Sequence, residues 1–315
     1  MWNKRRVIGA ALSLTLSACS FDDDAKFVPR PRAAYFLTAR DSATTLVRLD
    51  PTGTTTFEPA TDFDLHVTEK NTTLWLLQYG KIRWRGLDSG KSGELDFTPF
   101  TPKGICAGTE RHAVWGENRL CFIQNRTKNP DTVVLEVDFS PRTALYNNQK
   151  FYFVVDSFIA VWHETAFSEI LRVPTAFRPE HADFDELYNF LAIGPAEDGK
   201  YYATKISATA NVPLFRDAPA AMRTLWHSRI WKTQYGGEAV LKTAGMRTDG
   251  AAVPDVGHAA NDVFFDFRHS RGYYTSADSL RVYEFSPDLL SRKLLFGTTW
   301  QAPIVKARFD AVSGK

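Results

Sequence analysis

An apolar segment with the character of a β-strand recurs along this chain about every 39 residues, and this spacing limits the possible folds more than any other feature. The segments begin near Tyr35, Leu74, Ala113, Phe151, Phe190, Ile230 and Val263. The steps between them are 39, 39, 38, 39, 40 and 33 residues. A fixed period of this length is typical of chains that use one small structural unit many times. We therefore expect a repeat architecture in which neighbouring units share one core.

Each repeat contains short strands separated by tight turns. The second repeat is the most legible, with apolar runs at 74–80, 82–88 and 93–97. Turn-forming residues occupy 50–53 (Asp-Pro-Thr-Gly), 88–90 (Asp-Ser-Gly) and 286–288 (Ser-Pro-Asp), and such residues tolerate the backbone angles of turns. The chain is rich in Phe, Tyr, Trp, Val and Thr, which suit a pleated surface, and helical periodicity is hard to find. These features predict an all-β fold.

A fourth strand precedes each recurring segment. The predicted positions are 62–68, 104–110, 143–148, 181–187, 222–228, 257–262 and 302–309. The chain thus opens at Tyr35 with the second strand of a unit and closes at 302–309 with a first strand. Pairing these two ends completes a seventh four-stranded sheet and removes an exposed sheet edge, which would otherwise invite aggregation.

This pattern resembles a seven-bladed β-propeller over residues 33–310, with about 40 residues per blade. The signatures of WD40 and kelch blades are absent from the sequence. Six or eight blades are also compatible with the pattern, because the unit around 230–256 is the poorest match. A pair of antiparallel β-sandwiches is the structural alternative.

The N-terminal residues resemble the signal peptide of a bacterial lipoprotein. Lys4, Arg5 and Arg6 precede a short apolar stretch that ends in Leu-Ser-Ala-Cys at 16–19, in the manner of a lipobox. The resemblance implies cleavage after residue 18 and lipidation of Cys19, which anchors the protein to a membrane.

The residues that follow the lipobox indicate where the protein is placed. Residues 19–32 then form an acidic flexible tether, and 311–315 a tail. Ser20 follows the lipid site without an acidic residue, which points to the outer membrane, and the run at 22–24 (Asp-Asp-Asp) resembles the export signal of surface lipoproteins. The protein is therefore expected to face either the periplasm or the cell surface.

Charge argues against nucleic acid as a partner. The whole chain has 38 Lys and Arg against 36 Asp and Glu. Removing residues 1–18 removes three basic and no acidic side chains, so 35 basic remain against 36 acidic. A nearly neutral body has no electrostatic attraction to phosphate backbones.

Polar side chains cluster on three of the predicted first strands, which line the central channel of a propeller. They are Asp62, Asp64, His66, His181, Asp183, Asp185, His258 and Asp262. Carboxylates and imidazoles suit a metal ion or a cationic ligand. The three histidines lie eight, nine and five residues before the next strand, so equal depth in the channel is not implied. We predict no metal or other cofactor and retain these residues as the candidates for one.

Tryptophan and cysteine positions are informative about packing. Trp75, Trp84, Trp115, Trp162 and Trp231 recur near the start of second strands or on third strands, which favours packing between blades over an exposed sugar-binding platform. Cys106 and Cys121 could form a disulfide, but the strand assignment separates them by two strands. That spacing is about 9.6 Å, beyond the reach of a bridge, so we favour free thiols.

No catalytic motif stands out, and we do not predict an enzyme. The sequence lacks a Gly-x-Ser-x-Gly elbow, a zinc-protease histidine pair and a phosphate-binding glycine loop. The leading hypothesis is a membrane-anchored binding or scaffolding lipoprotein that recruits envelope proteins through its propeller faces. The alternatives are a surface glycan-binding or glycan-cleaving lipoprotein and a periplasmic enzyme with a metal in the channel.

Overall fold

The described part of the chain is entirely β-structure. The computed structural model describes residues 30–40, 43–67, 72–125, 130–184, 190–198, 201–206, 211–218, 262–266, 271–275, 279–285, 292–299, 302 and 304–312. Over these residues it contains 24 strands and no helix. None of the described segments could therefore cross a bilayer as an apolar helix. The predicted all-β class is confirmed.

The strands form six four-stranded antiparallel sheets, written here from the first strand to the fourth. Sheet 1 contains β24 (Ile304–Val312), β1 (Arg30–Arg40), β2 (Ala43–Leu49) and β3 (Thr55–Pro59). Sheet 2 contains β4 (Asp62–Val67), β5 (Thr72–Gln78), β6 (Lys81–Gly86) and β7 (Ser92–Asp96). Sheet 3 contains β8 (Gly104–Ala107), β9 (Arg111–Trp115), β10 (Arg119–Gln124) and β11 (Thr132–Glu136).

The other three sheets repeat the same order. Sheet 4 contains β12 (Thr143–Asn147), β13 (Lys150–Val154), β14 (Phe158–His163) and β15 (Glu169–Pro174). Sheet 5 contains β16 (His181–Phe184), β17 (Phe190–Pro195), β18 (Tyr201–Ile206) and β19 (Asn211–Ala218). Sheet 6 contains β20 (Asp262–Asp266), β21 (Arg271–Thr275), β22 (Ser279–Phe285) and β23 (Arg292–Thr299).

The first strands lie side by side and define the inside of a propeller-like ring. β24 contacts β4, β4 contacts β8, β8 contacts β12, and β20 contacts β24. The fourth strand of each sheet is consequently the outermost. The arrangement is that of a propeller and not of two stacked sheets.

The two ends of the described chain meet in sheet 1, as the sequence predicts. β24 pairs antiparallel with β1, with Tyr35 opposite Arg308 and Phe36 opposite Ala307. The strands run past the predicted limits of the propeller, because β1 begins at Arg30 and β24 ends at Val312. The pairing covers the inner edge of β1 and makes sheet 1 a sheet of four strands like the others.

The prediction for the last repeat is wrong in one respect. Val263 was expected to open a second strand, but it lies in β20, which is the first strand of sheet 6. The second strand is β21, and the turn-forming run at 286–288 accordingly falls between β22 and β23. An apolar run reveals a strand but not its place within a blade. The strands predicted at 222–228 and from Ile230 lie outside the described residues.

Apolar side chains pack between neighbouring sheets. Trp115 and Trp162 lie in one buried cluster between sheets 3 and 4, while Trp75 and Trp84 pack between sheets 2 and 3. The Trp115 indole covers Gly104 on the neighbouring strand, where an added Cβ would lie 2.0 Å from the ring. The described tryptophans therefore serve inter-blade packing, and Trp231 lies outside the described residues.

Candidate functional site

The polar residues of β4 all lie on the side that faces sheet 3. Asp62, Asp64 and His66 alternate along the strand and pair across the sheet with Leu77, Trp75 and Thr73. Trp75 and Leu77 belong to the apolar cluster shared with sheet 3, and residues directly opposite in a sheet share a face. Asp62 and Asp64 are buried. Two carboxylates thus sit at the innermost edge of the ring, between sheets 2 and 3.

These carboxylates cap the open edge of the neighbouring first strand. β8 has a strand partner on one side only. On its other side, the N–H of Ile105 donates to Asp62 Oδ2 at 2.8 Å and the N–H of Ala107 donates to Asp64 Oδ2 at 2.9 Å. A buried N–H without an acceptor would cost about 1–3 kcal/mol, so the two side chains take the place of a missing strand.

Cations from the last strand neutralise the two carboxylates. Lys306 Nζ lies 3.0 Å from Asp62 Oδ1 and also donates to the carbonyl of Ile105 at 3.3 Å. Arg308 Nε donates to Asp64 Oδ1 at 2.7 Å. The contacts advance in step along β24, β4 and β8, so these three first strands run in the same direction. We call these four charged side chains, Asp62, Asp64, Lys306 and Arg308, the axial network.

A bulge in β24 aims these cations. The β1–β24 register shifts between Leu37 opposite Lys306 and Thr38 opposite Ile304, which leaves Val305 as an extra residue. Ile304 therefore packs toward sheet 6, while Lys306 reaches sheet 2 and passes 5.6 Å from the centre of the Phe63 ring. A bulge commonly re-aims a side chain in this way.

The network sets the protonation of the groups around it. Burial alone would raise the pKa of Asp64, but Arg308, Lys306 and the N–H of Ala107 together hold that pKa below its ordinary value. Burial, with Asp64 beside it, raises the pKa of the Cys106 thiol well above its usual range. At neutral pH, Asp64 is therefore an anion and Cys106 a neutral thiol.

A second polar group lies where β4 and β8 end. His112 is buried, its Nδ1 accepts from the N–H of Gly108 at 3.3 Å, and its ring centre lies 3.8 Å from that of Trp75. Burial lowers the pKa of His112 to about 3. Burial also lowers the pKa of His66, against the opposing effect of Asp64 and Glu164. Both imidazoles are consequently neutral at pH 7.

Glu164 repeats the capping role one sheet further on. Its Oε1 accepts from the N–H groups of Glu110 and Arg111 at 2.7 and 2.8 Å, and its Oε2 accepts from the Tyr146 hydroxyl at 2.8 Å. The side chain is fully buried. An acidic side chain from sheet 4 thus satisfies the backbone of the turn in sheet 3, just as β4 does for β8.

The predicted ligand residues fall into three groups. Asp62, Asp64 and His66 are brought together at the inner edge, where both carboxylates are engaged by cations and backbone donors. His181 and Asp183 lie on β16, and Asp262 lies on β20. Asp185 and His258 lie outside the described residues. Over the described ranges, no three His, Cys, Asp or Glu side chains are grouped as a metal would need.

The two body cysteines lie on β8 and β10, with β9 between them. Both are buried free thiols. Burial raises the pKa of Cys121 to about 12. Neither thiol is therefore a reactive nucleophile at neutral pH.

Sequence reasoning missed the partners of β4. Lys306, Arg308 and Glu164 were not singled out, although the first two alternate on the closing strand at the same spacing as Asp62 and Asp64. Opposite charges at matching spacing on two first strands were the available signal.

Structural comparison supports the fold and no more. The chain resembles hydrazine synthase from Kuenenia stuttgartiensis with a TM-score of 0.50 and 9% identity, over 70% of this chain and 75% of that one. A chain in the crystal structure of the mitotic checkpoint complex has a TM-score of 0.50 and 13% identity, with 74% and 78% covered. A functionally unknown protein from Desulfotomaculum acetoxidans has a TM-score of 0.50 and 11% identity, with 75% and 79% covered. Neither a protein-family model nor a curated protein sequence matches this chain.

Proposed function

We propose that this protein is a lipid-anchored scaffold of the bacterial cell envelope, which binds partner proteins through the faces of a rigid seven-bladed propeller. Cys19 carries the lipid, and the lipobox at 16–19 supports this assignment. The absence of an acidic residue at Ser20 favours the outer membrane. The proposal makes the ring a platform for binding and gives it no reaction to catalyse.

The spacing of the first strands supports seven blades. β4, β8, β12 and β16 begin at 62, 104, 143 and 181, in steps of 42, 39 and 38 residues, and β20 and β24 begin at 262 and 304, a step of 42. Between β16 and β20 the step is 81 residues, twice the period. The 43 residues at 219–261 have the length that one more blade requires.

The observation that carries the proposal is the engagement of the axial network. The innermost acidic residues accept backbone hydrogen bonds from the next sheet and pair with the closing strand. A carboxylate held in this way braces the ring and is poorly placed to ligate a metal or accept a proton from a substrate. Recognition is then left to the turns on the two faces, as in other scaffolds built on rigid frames.

The packing of the tryptophans weighs against a glycan platform. Trp75, Trp115 and Trp162 are buried, and Trp84 is half-buried against Trp75. Sugar-binding platforms require exposed aromatic rings grouped on one rim, so these four rings support inter-blade packing instead.

Cross-linking in native envelopes tests the scaffold. The tagged full-length protein is cross-linked gently in cells and purified from envelope extracts, beside a Cys19→Ser variant as the matched control. We expect one or a few partner proteins in near-stoichiometric yield with the lipidated protein and a loss of most of that yield with the variant. Recovery of the lipidated protein alone would contradict the proposal.

Lipidation has its own measurement. Labelled palmitate should be incorporated into the protein with Cys19. The Cys19→Ser variant should incorporate none and should move to the soluble fraction, because it lacks the lipid chains that anchor a protein stably. Equal labelling of the variant would place the lipid elsewhere.

A further inference from the structure

We infer that the protein presents one defined face to the membrane, the face formed by the turns between first and second strands and between third and fourth strands. We call it the tether face. The inference rests on the proposed lipidation of Cys19, and it adds which side of the ring is left for a partner protein.

Strand direction places the chain on this face. Within each sheet the strands are antiparallel, so turns from first to second and from third to fourth strands share one face, and the remaining turns share the other. In sheet 1 the first and second strands, β24 and β1, have no connecting turn. Instead, Arg30 at the start of β1 lies opposite Val312 at the end of β24. The chain therefore joins the ring where the other sheets have their first turn.

The ring does not reverse direction from one sheet to the next. Lys306, Asp62 and Ile105 contact one another at one level, and Arg308, Asp64 and Ala107 at the next. Because the residue number increases by two from the first level to the second in all three strands, β24, β4 and β8 run in the same direction. Sheets 1, 2 and 3 therefore have the same orientation along the ring axis. Sheet 4 has the same direction, because Glu164 in its turn between third and fourth strands accepts from the N–H groups of Glu110 and Arg111 at the first turn of sheet 3. The tether face is consequently one continuous surface over sheets 1 to 4.

The tether is too short to favour the opposite orientation. Ten residues separate Cys19 from Arg30, and fully extended they reach about 40 Å at most. To bring the other face to the bilayer, the chain would have to cross two outer strands, about 10 Å, and then descend the height of the ring, about 20 Å plus its turns. That path uses nearly the whole length and would cost most of the tether's conformational freedom.

The described charges on the tether face do not by themselves attract it to an anionic membrane. The described turns there carry Asp50, Asp88, Glu110 and Asp131 against Lys91, and two of these acids pair with bases of the adjoining strands, Asp50 with Arg48 and Asp131 with Arg111. The orientation is therefore assigned to the tether, and the opposite face is left to partner proteins.

Two serines in one blade provide a matched test. Ser157 precedes β14 on the opposite face and Ser168 follows it on the tether face, and both are exposed. Because strands rise about 3.3 Å per residue, the two positions differ in height by about 20 Å. Ser157→Cys and Ser168→Cys replace one small side chain by another, and the native thiols of Cys106 and Cys121 are buried and should take no label.

The experiment measures energy transfer to the bilayer. Lipidated full-length protein, labelled with a fluorophore at one position, is reconstituted on vesicles of phosphatidylethanolamine and phosphatidylglycerol that carry acceptor-labelled headgroups. We expect transfer from position 168 to exceed transfer from position 157 at least twofold. Equal transfer, or stronger transfer from 157, would overturn the orientation.

The controls distinguish a wrong orientation of the ring from a failure of the proposed lipidation. A Cys19→Ser protein with the same label should show no transfer, because it does not bind the vesicles. Lipidated protein with equal transfer from both positions overturns the orientation alone. Failure of Cys19 to acquire lipid in cells overturns the anchored scaffold, and the orientation with it.

Discussion

The ion pair between Asp62 and Lys306 should contribute measurably to stability, because both side chains are about nine-tenths buried. Their exposed fractions are 9% and 10%. Asp62→Asn removes the nearest countercharge of the buried Lys306 ammonium, and Lys306→Met leaves the buried Asp62 carboxylate with the N–H of Ile105 but no countercharge. Removing one partner of such a pair typically costs about 3–5 kcal/mol, and we expect each single change to lie near 3 kcal/mol.

The double variant gives the decisive comparison. With Asn and Met together no buried charge is left alone, and neutral replacement of a buried pair is often close to neutral in free energy. We therefore expect the double variant to lose about 1–2 kcal/mol, less than either single variant, with a coupling energy of at least about 2 kcal/mol. The assay is urea unfolding at pH 7, followed by the fluorescence of the inter-sheet tryptophans in the Cys19→Ser protein without residues 1–18.

An exposed pair supplies the control. Arg172 and Asp138 form an ion pair with side chains 37% and 70% exposed. The cycle of Arg172→Gln and Asp138→Asn should show a coupling below about 1 kcal/mol. If the single changes at Asp62 and Lys306 simply add, or cost no more than those at the exposed pair, the bracing role of the axial network is refuted.

Three further predictions concern the buried imidazole, a close approach and the closing strand. The pKa of His112 is lowered to about 3 in the folded protein, so acid protonates this histidine in the unfolded chain first. The free energy of unfolding should therefore fall by up to about 1.4 kcal/mol per pH unit as the pH is lowered from 6.5 to 3. The unfolding free energy of His112→Gln should depend less on pH over that range, and equal slopes for the two proteins would contradict the assignment. Gly104→Ala places a Cβ within 2.0 Å of Trp115, and it should lower the unfolding free energy by about 1–3 kcal/mol, whereas an unchanged urea midpoint would show that the ring has room to move. Deleting 304–312 opens the inner edge of β1 and should yield aggregated protein in size-exclusion chromatography, while a stable monomer would show that closure by this strand is dispensable.

Much of the fold could be predicted because its signal is local and repeated. Apolar runs at a constant period fixed the strand positions in five of the described sheets, and the unpaired strands at the two ends required each other. The error at Val263 has a physical reason. The first strand β20 (Asp262–Asp266) is apolar at its three central positions, as a second strand is, so an apolar run alone did not distinguish the two.

A second repeated signal went unused. A Phe-x-Pro triplet lies just before four first strands, at 57–59, 100–102, 139–141 and 177–179, although it also occurs at 27–29, 97–99 and 285–287. Phe139 and Phe177 are buried between sheets, and proline suits the approach to an edge strand. Because the triplet also occurs elsewhere in the sequence, it accompanies first strands without identifying them. It is absent before Val263, so it would not have corrected that assignment.

The sequence predicted the acidic half of the axial network but not its basic half. Asp62, Asp64 and His66 were predicted on a first strand, and the structure places them on β4, but the face that they occupy became clear only from the structure. Their partners lie 244 residues away along the chain. Matching them required the pairing register of β24 with β1 and the bulge at Val305, and neither has a local sequence signal. Asp62 and Asp64 therefore resembled metal ligands in the sequence, whereas in the structure they form ion pairs with Lys306 and Arg308.

Lys306 and Arg308 lie on the strand that pairs with β1, so the same strand completes sheet 1 and neutralises the buried carboxylates. β24 completes sheet 1 through its backbone and neutralises Asp62 and Asp64 of sheet 2 through its side chains. Before β24 docks, the two carboxylates still accept from Ile105 and Ala107, but they lack their countercharges. The seam between sheets 1 and 2 also holds an apolar cluster from β1, β2, β4 and β5, so docking of β24 adds the ion pairs to packing that it does not itself supply. A one-residue shift of β24 would turn both cations away from sheet 2, and a two-residue shift would leave one cation and one carboxylate unpaired, so the same contacts favour the correct closure over a shifted one.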